Sequence, residues 1–512
     1  MRRSSTRLIG LVLLLLVLAV YVQTIDFTFI TFDDTFYILE NPHMLHGLTP
    51  ESFRWAWIDN LARPSIRSEY WIPVTNLSRL LDVTIFGFDP VGHHFVNLAL
   101  HAANVFLFFS LLTSLTSAVA PSAFAAALFA VHPLHAESVA WIIERKDVLS
   151  QFFGLLSLHS YVRFRRNPSG LRWIAVAAWF VLSILAKPMT VTLPILMLIL
   201  NYWPIKEGER LCGIASWRAA ILPLLPLLIL SLVDGIITVR SYKTFPLWSS
   251  SGWIHITNAL SSLVVYLERL VIPFGYAAYY PYPSEPPSLW RLVVTLSLLG
   301  GITHVSWSKR RSHPHRIVGW LWYLTSVGLM IGNVFMANAN RFTYLPMLGI
   351  YIFIAWEVHA RVRGEWRLPL RGACAGLILA LAACGYQETS YWRDSVILFR
   401  RNMEIVGSDI VSHRNLAMAL AERSRFPEAH EELDKAMLLN PADVTIFHVR
   451  GVILTEQRLY EEASRAYAAG LEIDPRNIKL IENLCNLRAA MGDSVGARAL
   501  FDLRMSLDPS SP

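Results

Sequence analysis

Two adjacent carboxylates, Asp33 and Asp34, follow shortly after a long apolar run near the start of the chain. Paired carboxylates at a membrane surface repel each other and lose hydration energy, so their presence there suggests a chemical purpose. One of them could take a proton from a hydroxyl group as a general base, or both could bind a divalent cation. The alternative interpretation is an ordinary solvated loop.

The segment 132–147 is also dense in ionisable residues and lies between two apolar runs. Its His132, His135 and Glu137 lack the H-E-x-x-H spacing of a zinc-binding helix, and Pro133 interrupts the helix that would align such ligands. A hydrogen-bonded bend explains these three residues without a metal ion.

Cationic residues stand at several turns that we expect on the same side of the membrane. Arg145 and Lys146, followed by Asp147, are better suited to a phosphate group at the membrane edge. Lys187 precedes a proline at a tight turn, where its ammonium group either extends towards water or pairs with an anion. Arg341 stands in another turn of this kind.

A polar face is predicted at the start of one apolar helix. His94, Asn97 and His101 are spaced by three and four residues, which places them on one side of that helix. Histidines inside a helix bundle are often structural, so this pattern alone assigns no catalytic role.

Cations for a phosphate and a carboxylate for proton removal fit one reaction class, glycosyl transfer from a sugar linked to polyprenyl phosphate. The lipid enters sideways from the bilayer, and the acceptor hydroxyl arrives from the aqueous side. The carboxylate takes the hydroxyl proton as the oxygen attacks the anomeric carbon. The phosphate leaving group is already charged, so a separate general acid is not essential.

The composition determines what kind of protein must position these residues. The chain has 512 residues, 54% of them hydrophobic and 16% charged, with a mean hydropathy of +0.41. A soluble domain carries about 25% charged residues, so a soluble enzyme, a disordered chain and a nucleic-acid-binding protein are excluded. Residues 1–387 hold 30 Lys and Arg against 19 Asp and Glu, whereas residues 388–512 hold 15 against 19. A basic membrane part is therefore joined to a mildly acidic soluble part.

The apolar runs predict eleven membrane spans, with the first starting in the cytoplasm. They cover residues 8–22, 92–113, 121–141, 147–163, 172–186, 188–204, 219–239, 289–307, 317–335, 343–358 and 369–386. Alternating spans place the basic segments 2–7, 163–172, 206–218, 309–316 and 361–371 in the cytoplasm, as the positive-inside rule requires. This topology holds only if segment 254–273, which contains Glu268 and Arg269, does not cross the membrane and is an interfacial or re-entrant helix on the outer side. The odd number of spans then places the C-terminal part outside the cytoplasm.

The C-terminal part repeats with a period of 34 residues, which is the spacing of tetratricopeptide repeats. The positions in phase are Ala429, Ala463 and Ala497; Pro441, Pro475 and Pro509; Leu433, Tyr467 and Phe501; and Ala417, Gly451 and Cys485. Such arrays bind extended peptides or protein surfaces in a concave face. The alternative is that the array only caps the protein or forms a dimer.

We therefore predict an all-α, polytopic membrane protein of about eleven spans followed by a soluble tetratricopeptide α-solenoid. The membrane domain covers 1–387, with a first external loop at 26–90 and another at 240–288. A docking helix or linker covers 388–409, and three repeats cover 410–443, 444–477 and 478–512.

Several motifs, in this order, resemble those of the transmembrane and tetratricopeptide-repeat family of protein O-mannosyltransferases. They are Asp33-Asp34-Thr-Phe-Tyr37-Ile38, Tyr70-Trp71-Ile-Pro73, His132-Pro-Leu-His135-Ala-Glu137, Glu144-Arg145-Lys146-Asp147, Ala186-Lys187-Pro188-Met189 and Asn340-Arg341-Phe-Thr-Tyr344. The family resembles the wider GT-C glycosyltransferases, multispan enzymes with catalytic acids in the first external loop.

The resemblance implies an inverting transferase that moves mannose, or a related hexose, from a polyprenyl-phosphate carrier to Ser or Thr of exported proteins. It implies that Asp34 or Asp33 is the base. The implied donor-binding residues are Arg145, Lys146, Lys187, Arg341 and Tyr280. The implied supporting residues are His132, His135, Glu137, His94, Asn97, Asp147 and Tyr344.

The expected partners are a lipid-linked sugar donor and a protein acceptor engaged by the repeats, without nucleic acid. No cofactor is expected, although Asp33 and Asp34 could hold a divalent cation. The short array and the final residues Asp-Pro-Ser-Ser-Pro favour a bacterial inner membrane with the site facing the periplasm; the alternative is the lumenal face of the endoplasmic reticulum. Two other functions stay open: a GT-C transferase acting on a glycolipid or cell-wall glycan, and a non-enzymatic assembly scaffold.

Overall fold

The computed structural model describes residues 2–62, 70–205, 214–241, 252–283, 285–328, 338–362 and 367–507. These residues form helices and connecting turns, with no strand among them. The chain divides into two compact units. The first comprises Met1–Phe29 and Tyr37–Arg393, and the second comprises Ile30–Phe36 and Asp394–Pro512. All of 26–90 is predicted to belong to the membrane part, whereas the structure groups Ile30–Phe36 with the C-terminal helices.

The first unit is built from seventeen helices among the described residues. They are α1 (Arg2–Tyr21), α2 (Pro50–Arg54), α3 (Asn60–Ala62), α4 (Pro73–Phe86), α5 (Pro90–Thr116), α6 (Val119–Val131), α7 (Ala136–Ala140), α8 (Arg145–Arg166), α9 (Gly170–Ala186), α10 (Leu193–Tyr202), α11 (Ile214–Ile221), α12 (Leu225–Ser241), α13 (Gly252–Val271), α14 (Leu289–Ser308), α15 (Pro314–Gly328), α16 (Met347–Arg361) and α17 (Arg367–Ser390). Short 3₁₀ or π turns separate several of them.

Five helical segments of the described chain are long and apolar enough to cross a membrane. They are Thr6–Asp26, Pro90–Thr116, Arg218–Arg240, Leu289–Ser308 and Leu368–Ser390. A sixth would be the pair Val119–Val131 and Pro133–Ala140, which is bent by 54°. The protein is therefore a multi-pass membrane protein. The predicted count of eleven is not confirmed and stays a prediction, and residues 329–335 of one predicted span lie outside the described chain.

The core of the first unit is apolar, and two of its helices approach each other very closely. Helices α15 and α16 approach each other through Gly319 and Gly349. A Cβ atom on Gly319 would lie 2.4 Å from the carbonyl oxygen of Gly349, so any side chain there would push the helices apart. Small residues at such crossings are typical of packed membrane helices.

Helix α13 covers most of the segment for which an interfacial position is predicted. It buries Leu263 and Tyr266 against the unit and exposes Trp253, Ile256 and Val271. This two-sided pattern is typical of a helix with protein on one side and an apolar medium on the other. Its location at the membrane surface stays a prediction.

The second unit contains seven described helices. They are α18 (Ser395–Val406), α19 (Ile410–Ala421), α20 (Phe426–Leu439), α21 (Val444–Glu456), α22 (Tyr460–Ile473), α23 (Ile478–Ala490) and α24 (Ser494–Leu507). Helices α19, α21 and α23 begin 34 residues apart, and so do α20, α22 and α24, which matches the period in the sequence. The superhelical array itself is not confirmed and stays a prediction, and Pro509 lies outside the described residues.

The same period recurs in the residues that start and pack these helices. The side chains of Asp409, Asp443 and Asn477 each accept a backbone N–H at the start of α19, α21 and α23. Within the second pair, a Cβ atom on Gly451 would lie 2.2 Å from the Tyr467 ring. The small and large positions of the repeat therefore face each other where two helices cross.

Candidate active site

Breaks in the helices of the first unit bring ionisable side chains to one place. Helix α6 ends before His132, because the proline that follows cannot continue its hydrogen bonds. The backbone is extended again at Trp141 before a short 3₁₀ turn leads into α8. Lys187 ends α9 in the same way before Pro188, and Arg341 lies in the 3₁₀ turn before α16.

Glu144 lies at the centre of the resulting network. One carboxylate oxygen, Oε1, is 3.3 Å from Lys146 Nζ and 3.2 Å from Arg341 Nε, while Oε2 is 3.1 Å from Lys187 Nζ. Burial alone would raise the pKa of the Glu144 carboxyl, but these three cations outweigh burial and hold that pKa well below its ordinary value. Glu144 is therefore ionised and acts as the shared counter-ion of the network.

Two further carboxylates extend the network on either side. Asp147 Oδ1 is 2.5 Å from Lys187 Nζ, and its Oδ2 accepts a hydrogen bond of 2.9 Å from Ser138. Glu137 forms an ion pair with the Arg341 guanidinium and also accepts the Arg341 backbone N–H at 3.1 Å. Both side chains are buried, so their charges are met by these partners rather than by water.

Among the described residues, these contacts join three carboxylates and three cations in one cluster, which we call the ion network. Its members are Glu137, Glu144, Asp147, Lys146, Lys187 and Arg341. Of the cations, Arg341 and Lys146 keep 11% and 8% of their side chains exposed, against 3% for Lys187. Arg341 and Lys146 are therefore slightly more accessible than Lys187.

Arg145, the remaining predicted phosphate-binding cation, points into a different cluster. Its guanidinium is 2.7 Å from Asp82 Oδ2, donates to Ser78 Oγ at 3.0 Å and to the His93 carbonyl at 2.8 Å, and also donates to Asn97. The side chain is fully buried. In this geometry Arg145 ties α8 to α4 and α5.

The predicted polar face of α5 is buried in a layer of hydrogen-bonded aromatic and histidine side chains. Asn97 donates to the Trp141 carbonyl at 3.1 Å, and His101 Nδ1 is 2.7 Å from the Tyr344 hydroxyl. The ring of His94 meets the edge of Phe27. Asn97 and Tyr344 therefore connect α5 to the turns that carry Glu144 and Arg341.

The two predicted histidines of the bend belong to the same layer. His135 Nε2 is 2.9 Å from the Tyr351 hydroxyl. His132 Nδ1 accepts the Leu134 N–H at 3.3 Å, and its Nε2 is 3.1 Å from the Leu270 carbonyl. Within the described residues no three His, Cys, Asp or Glu side chains are arranged to hold a metal ion.

Tyr280 is joined to the ion network through residues that the sequence patterns did not identify as site residues. The Arg269 guanidinium lies 3.9 Å from the centre of the Tyr280 ring and donates to Asn338 Oδ1 at 2.7 Å and to Asn340 Oδ1 at 2.8 Å. Asn340 immediately precedes Arg341. For Arg269, the available signal in the sequence was a cation, next to Glu268, in the largely apolar segment 254–273. For Asp82, the partner of Arg145, the only signal was an acid in the predicted first external loop.

The predicted base lies in the second unit. Asp34 is fully buried, and its Oδ2 accepts the Ile30 N–H at 2.9 Å. Asp33 is partly exposed. Both begin a helical turn that continues into the π-helix Thr35–Leu39.

Helices that span a membrane, with a buried network of balanced charges at helix ends, define a multi-pass membrane protein with a polar functional site. No family model matches the chain. A fruit-fly protein, Protein O-mannosyl-transferase Tmtc3 of Drosophila melanogaster, is 20% identical over 81% of this chain and 55% of its own length. A Caenorhabditis elegans protein O-mannosyl-transferase is 23% identical over 84% of this chain and 63% of its own. Human TMTC2 is 34% identical over 32% of this chain and 19% of its own.

These matches confirm the resemblance found in the sequence motifs. The chain is similar to members of the transmembrane and tetratricopeptide-repeat family, and these relatives carry the name protein O-mannosyl-transferase. Over the two long matches, the chain spans about 55–63% of the length of the relatives.

Proposed function

We propose that this protein transfers mannose, or a related hexose, from a polyprenyl-phosphate carrier to Ser or Thr hydroxyls of proteins. The observation that carries the proposal is the match over more than four fifths of the chain to two relatives named protein O-mannosyl-transferase. The buried ion network supports it, because pre-organised cations in a site of low water content can stabilise a phosphate leaving group.

The proposed reaction is a single displacement. The acceptor oxygen attacks the anomeric carbon as the bond between that carbon and the phosphate oxygen breaks, which inverts the configuration. A carboxylate accepts the hydroxyl proton, and polyprenyl phosphate leaves with the bonding electrons. Arg341 and Lys146, the more exposed cations, would meet the phosphate, while Lys187 holds Glu144 and Asp147 in place.

We assign proton removal to Asp33 rather than to Asp34. Asp34 is buried, and its carboxylate holds the Ile30 N–H, a contact that shapes the turn. Asp33 is partly exposed and so can meet an acceptor. Arg145 is assigned a positioning role, because its donors go to Asp82, Ser78 and Asn97.

The test is transfer of labelled mannose from a polyprenyl-phosphate donor to Ser/Thr peptides by the purified full-length chain. Asp33→Asn should lower the rate by about 10²–10⁴-fold, the range of general-base catalysis. Asp34→Asn keeps an oxygen acceptor for Ile30 and should cost less than about tenfold. The assignment of the base is wrong if the two variants rank in the opposite order.

A second comparison addresses the acceptor and the phosphate. Arg341→Lys keeps the charge but loses the paired donors of the guanidinium, so we expect a higher KM for the donor. A preparation that glycosylates glycolipid or cell-wall acceptors, but no peptide, would support the alternative GT-C function. In cells, unchanged glycosylation of periplasmic proteins when both Asp33 and Asp34 are replaced by Asn would support a non-enzymatic scaffold.

We also propose transfer without a metal ion, because Arg341 and Lys146 can meet the phosphate charge. Activity should then survive a chelator in the assay. The proposed location is a bacterial inner membrane with the site facing the periplasm, and an endoplasmic-reticulum membrane is the alternative. The periplasmic side is tested by labelling Cys485 in whole cells with a reagent that does not cross the inner membrane. Labelling that occurs only after the cells are opened would refute the periplasmic location.

A further inference from the structure

The second unit contains a segment that is distant in sequence from the rest of it. Ile30–Phe36, which carries Asp33 and Asp34, is grouped with Asp394–Pro512. The acids therefore lie on a short stretch held among the C-terminal helices. These helices are expected to engage an acceptor protein, so their contacts with the chain's own residues bear on that expectation.

On the N-terminal side of the acids, the segment contacts the first two helices of the unit. The Thr31 N–H donates to Ser395 Oγ at 2.8 Å, and the Thr31 hydroxyl is 3.4 Å from the Asn415 carbonyl oxygen. The Phe32 ring meets the edge of Phe399 at a centroid distance of 6.0 Å. Thr31 is buried, so its backbone donor depends on this hydroxyl partner rather than on water.

On the C-terminal side of the acids, a third helix contributes. Lys479 Nζ lies 3.9 Å from the centre of the Phe36 ring, which is the geometry of a cation–π contact. Lys479 is near the start of α23, whereas Ser395 and Asn415 lie on α18 and α19. Helices from the beginning and the end of the unit therefore hold the two flanks of one seven-residue segment.

The segment is also shaped from within. The Phe32 N–H donates to the Ile30 carbonyl at 2.7 Å, and the Ile30 N–H donates to Asp34 Oδ2 at 2.9 Å. These bonds set a tight turn at Thr31 and Phe32, immediately before Asp33 and Asp34. A segment that is fixed internally and held at both flanks leaves its carboxylates little freedom of position.

We infer that the C-terminal helices act as an internal clamp that binds residues 30–36 of the same chain and sets the position of Asp33 and Asp34. Ser395, Phe399 and Lys479 are then positioning residues. The catalytic consequence rests on the proposed function, in which one of these acids is the base. The binding of the segment does not depend on that function.

The first experiment measures the clamp without using activity. Thr35→Cys is introduced into the full-length chain with its four native cysteines replaced, and the rate of its reaction with a maleimide is measured. Lys479→Ala and Phe399→Ala should each increase that rate several-fold, up to about tenfold, since a cation–π or aromatic contact is lost. Lys479→Arg should restore a rate close to that of the parent.

The matched control is Arg498→Ala, which removes a guanidinium 5.7 Å from the Phe501 ring on α24, a helix that supplies none of the contacts given above. It should leave the labelling rate unchanged. Equal rates in the parent, Lys479→Ala and Phe399→Ala would overturn the clamp, whatever the activity. Acceleration by Arg498→Ala of the same size would also overturn it, because general loosening of the unit would then explain the result.

The second experiment uses the transfer assay. The clamp predicts that Lys479→Ala lowers kcat with the KM for the peptide acceptor unchanged, and that Lys479→Arg restores kcat. An increase in the acceptor KM at constant kcat would show instead that Lys479 contacts the acceptor, and would overturn the clamp. If the parent chain transfers no sugar at all, the proposed function fails, while the labelling result still decides the clamp.

Discussion

Replacing Glu144 by Gln should strongly destabilise the first unit, because it leaves the ion network with three cations and two carboxylates. Three cationic nitrogens lie 3.1–3.3 Å from the Glu144 carboxylate. Each such contact is worth roughly 5 kcal/mol at an effective dielectric constant of about 20, but desolvation of the buried charges offsets most of that sum. Removing one partner of a buried ion pair costs about 3–5 kcal/mol, and we expect a loss in this range.

The double-mutant cycle with Lys187→Met identifies the cause of that loss. Lys187→Met alone removes one cation from Glu144 and Asp147, and it should cost a similar amount. In the double variant the network again has equal numbers of carboxylates and cations, two of each. Its loss of unfolding free energy should therefore be at least about 2 kcal/mol less than the sum of the two single losses. The measurement is equilibrium unfolding of the full-length protein in mixed micelles, followed by tryptophan fluorescence.

Glu357→Gln serves as the matched control. Glu357 also meets several cationic groups, with Arg316 Nη2 at 2.6 Å and His315 Nε2 at 3.2 Å, but its side chain is 16% exposed. Water can partly replace these partners, so the loss should be smaller, about 1.5–3 kcal/mol.

The pH dependence gives a further check on Glu144. Its pKa in the folded protein lies below the ordinary value of 4.5, so its stabilising contribution is complete above about pH 4.5 and is lost as the pH falls. The difference between the parent and Glu144→Gln should therefore narrow in acid. The balance of charges in the ion network would be refuted if the losses of Glu144→Gln and Lys187→Met simply added in the double variant. It would also be refuted if the stability difference between the parent and Glu144→Gln widened in acid.

Three predictions concern the second unit, each measured on the full-length chain by pulse proteolysis in urea. Gly451→Ala places a methyl group 2.2 Å from the Tyr467 ring and should cost about 1–3 kcal/mol, with partial recovery when Tyr467→Leu is added; no cost would show that the helices do not cross there. Asp443→Ala removes an N-cap and should cost about 1 kcal/mol, whereas Asp434→Ala, an exposed partner of an ion pair, should cost less than half as much. Burial, together with neighbouring cations, lowers the pKa of His448 to about 4. As the pH falls from 7 to 5, His448 therefore takes up a proton in the unfolded chain but not in the folded one. The unit should lose about 2 kcal/mol over that interval, and His448→Gln should abolish this loss; an equal loss in both proteins would contradict the assignment.

The sequence predicts the helical character of the chain and the repeat in its last hundred residues well. Periodic apolar runs and a fixed 34-residue spacing are local properties, and α19, α21 and α23 begin where that spacing requires. The number of membrane crossings is harder to predict. The apolar helices Gly170–Ala186 and Pro188–Tyr202 are short of a full span, and an apolar run alone does not determine whether a short helix crosses.

The site residues show where local patterns become insufficient. The sequence treats Arg145 and Lys146 as equivalent cations, but successive helical residues point about 100° apart, and only Lys146 joins the ion network. Arg145 meets Asp82, a partner 63 residues away that no spacing rule identifies. Arg269 was visible only as an unexpected charge in an apolar segment, and its contacts with Asn338 and Asn340 depend on tertiary packing.

The hydrogen bond from Thr31 to Ser395 has a consequence for the biogenesis of the protein. The two residues are separated by 364 positions, so residues 30–36 leave the ribosome long before the helices that bind them exist. At about 5–20 residues per second, that interval is roughly 20–70 s. During this time the nascent chain is inserting its membrane helices with the two acids not yet held. The acids reach their final arrangement only at the end of translation, so a prematurely terminated chain would carry both aspartates without the helices that order them.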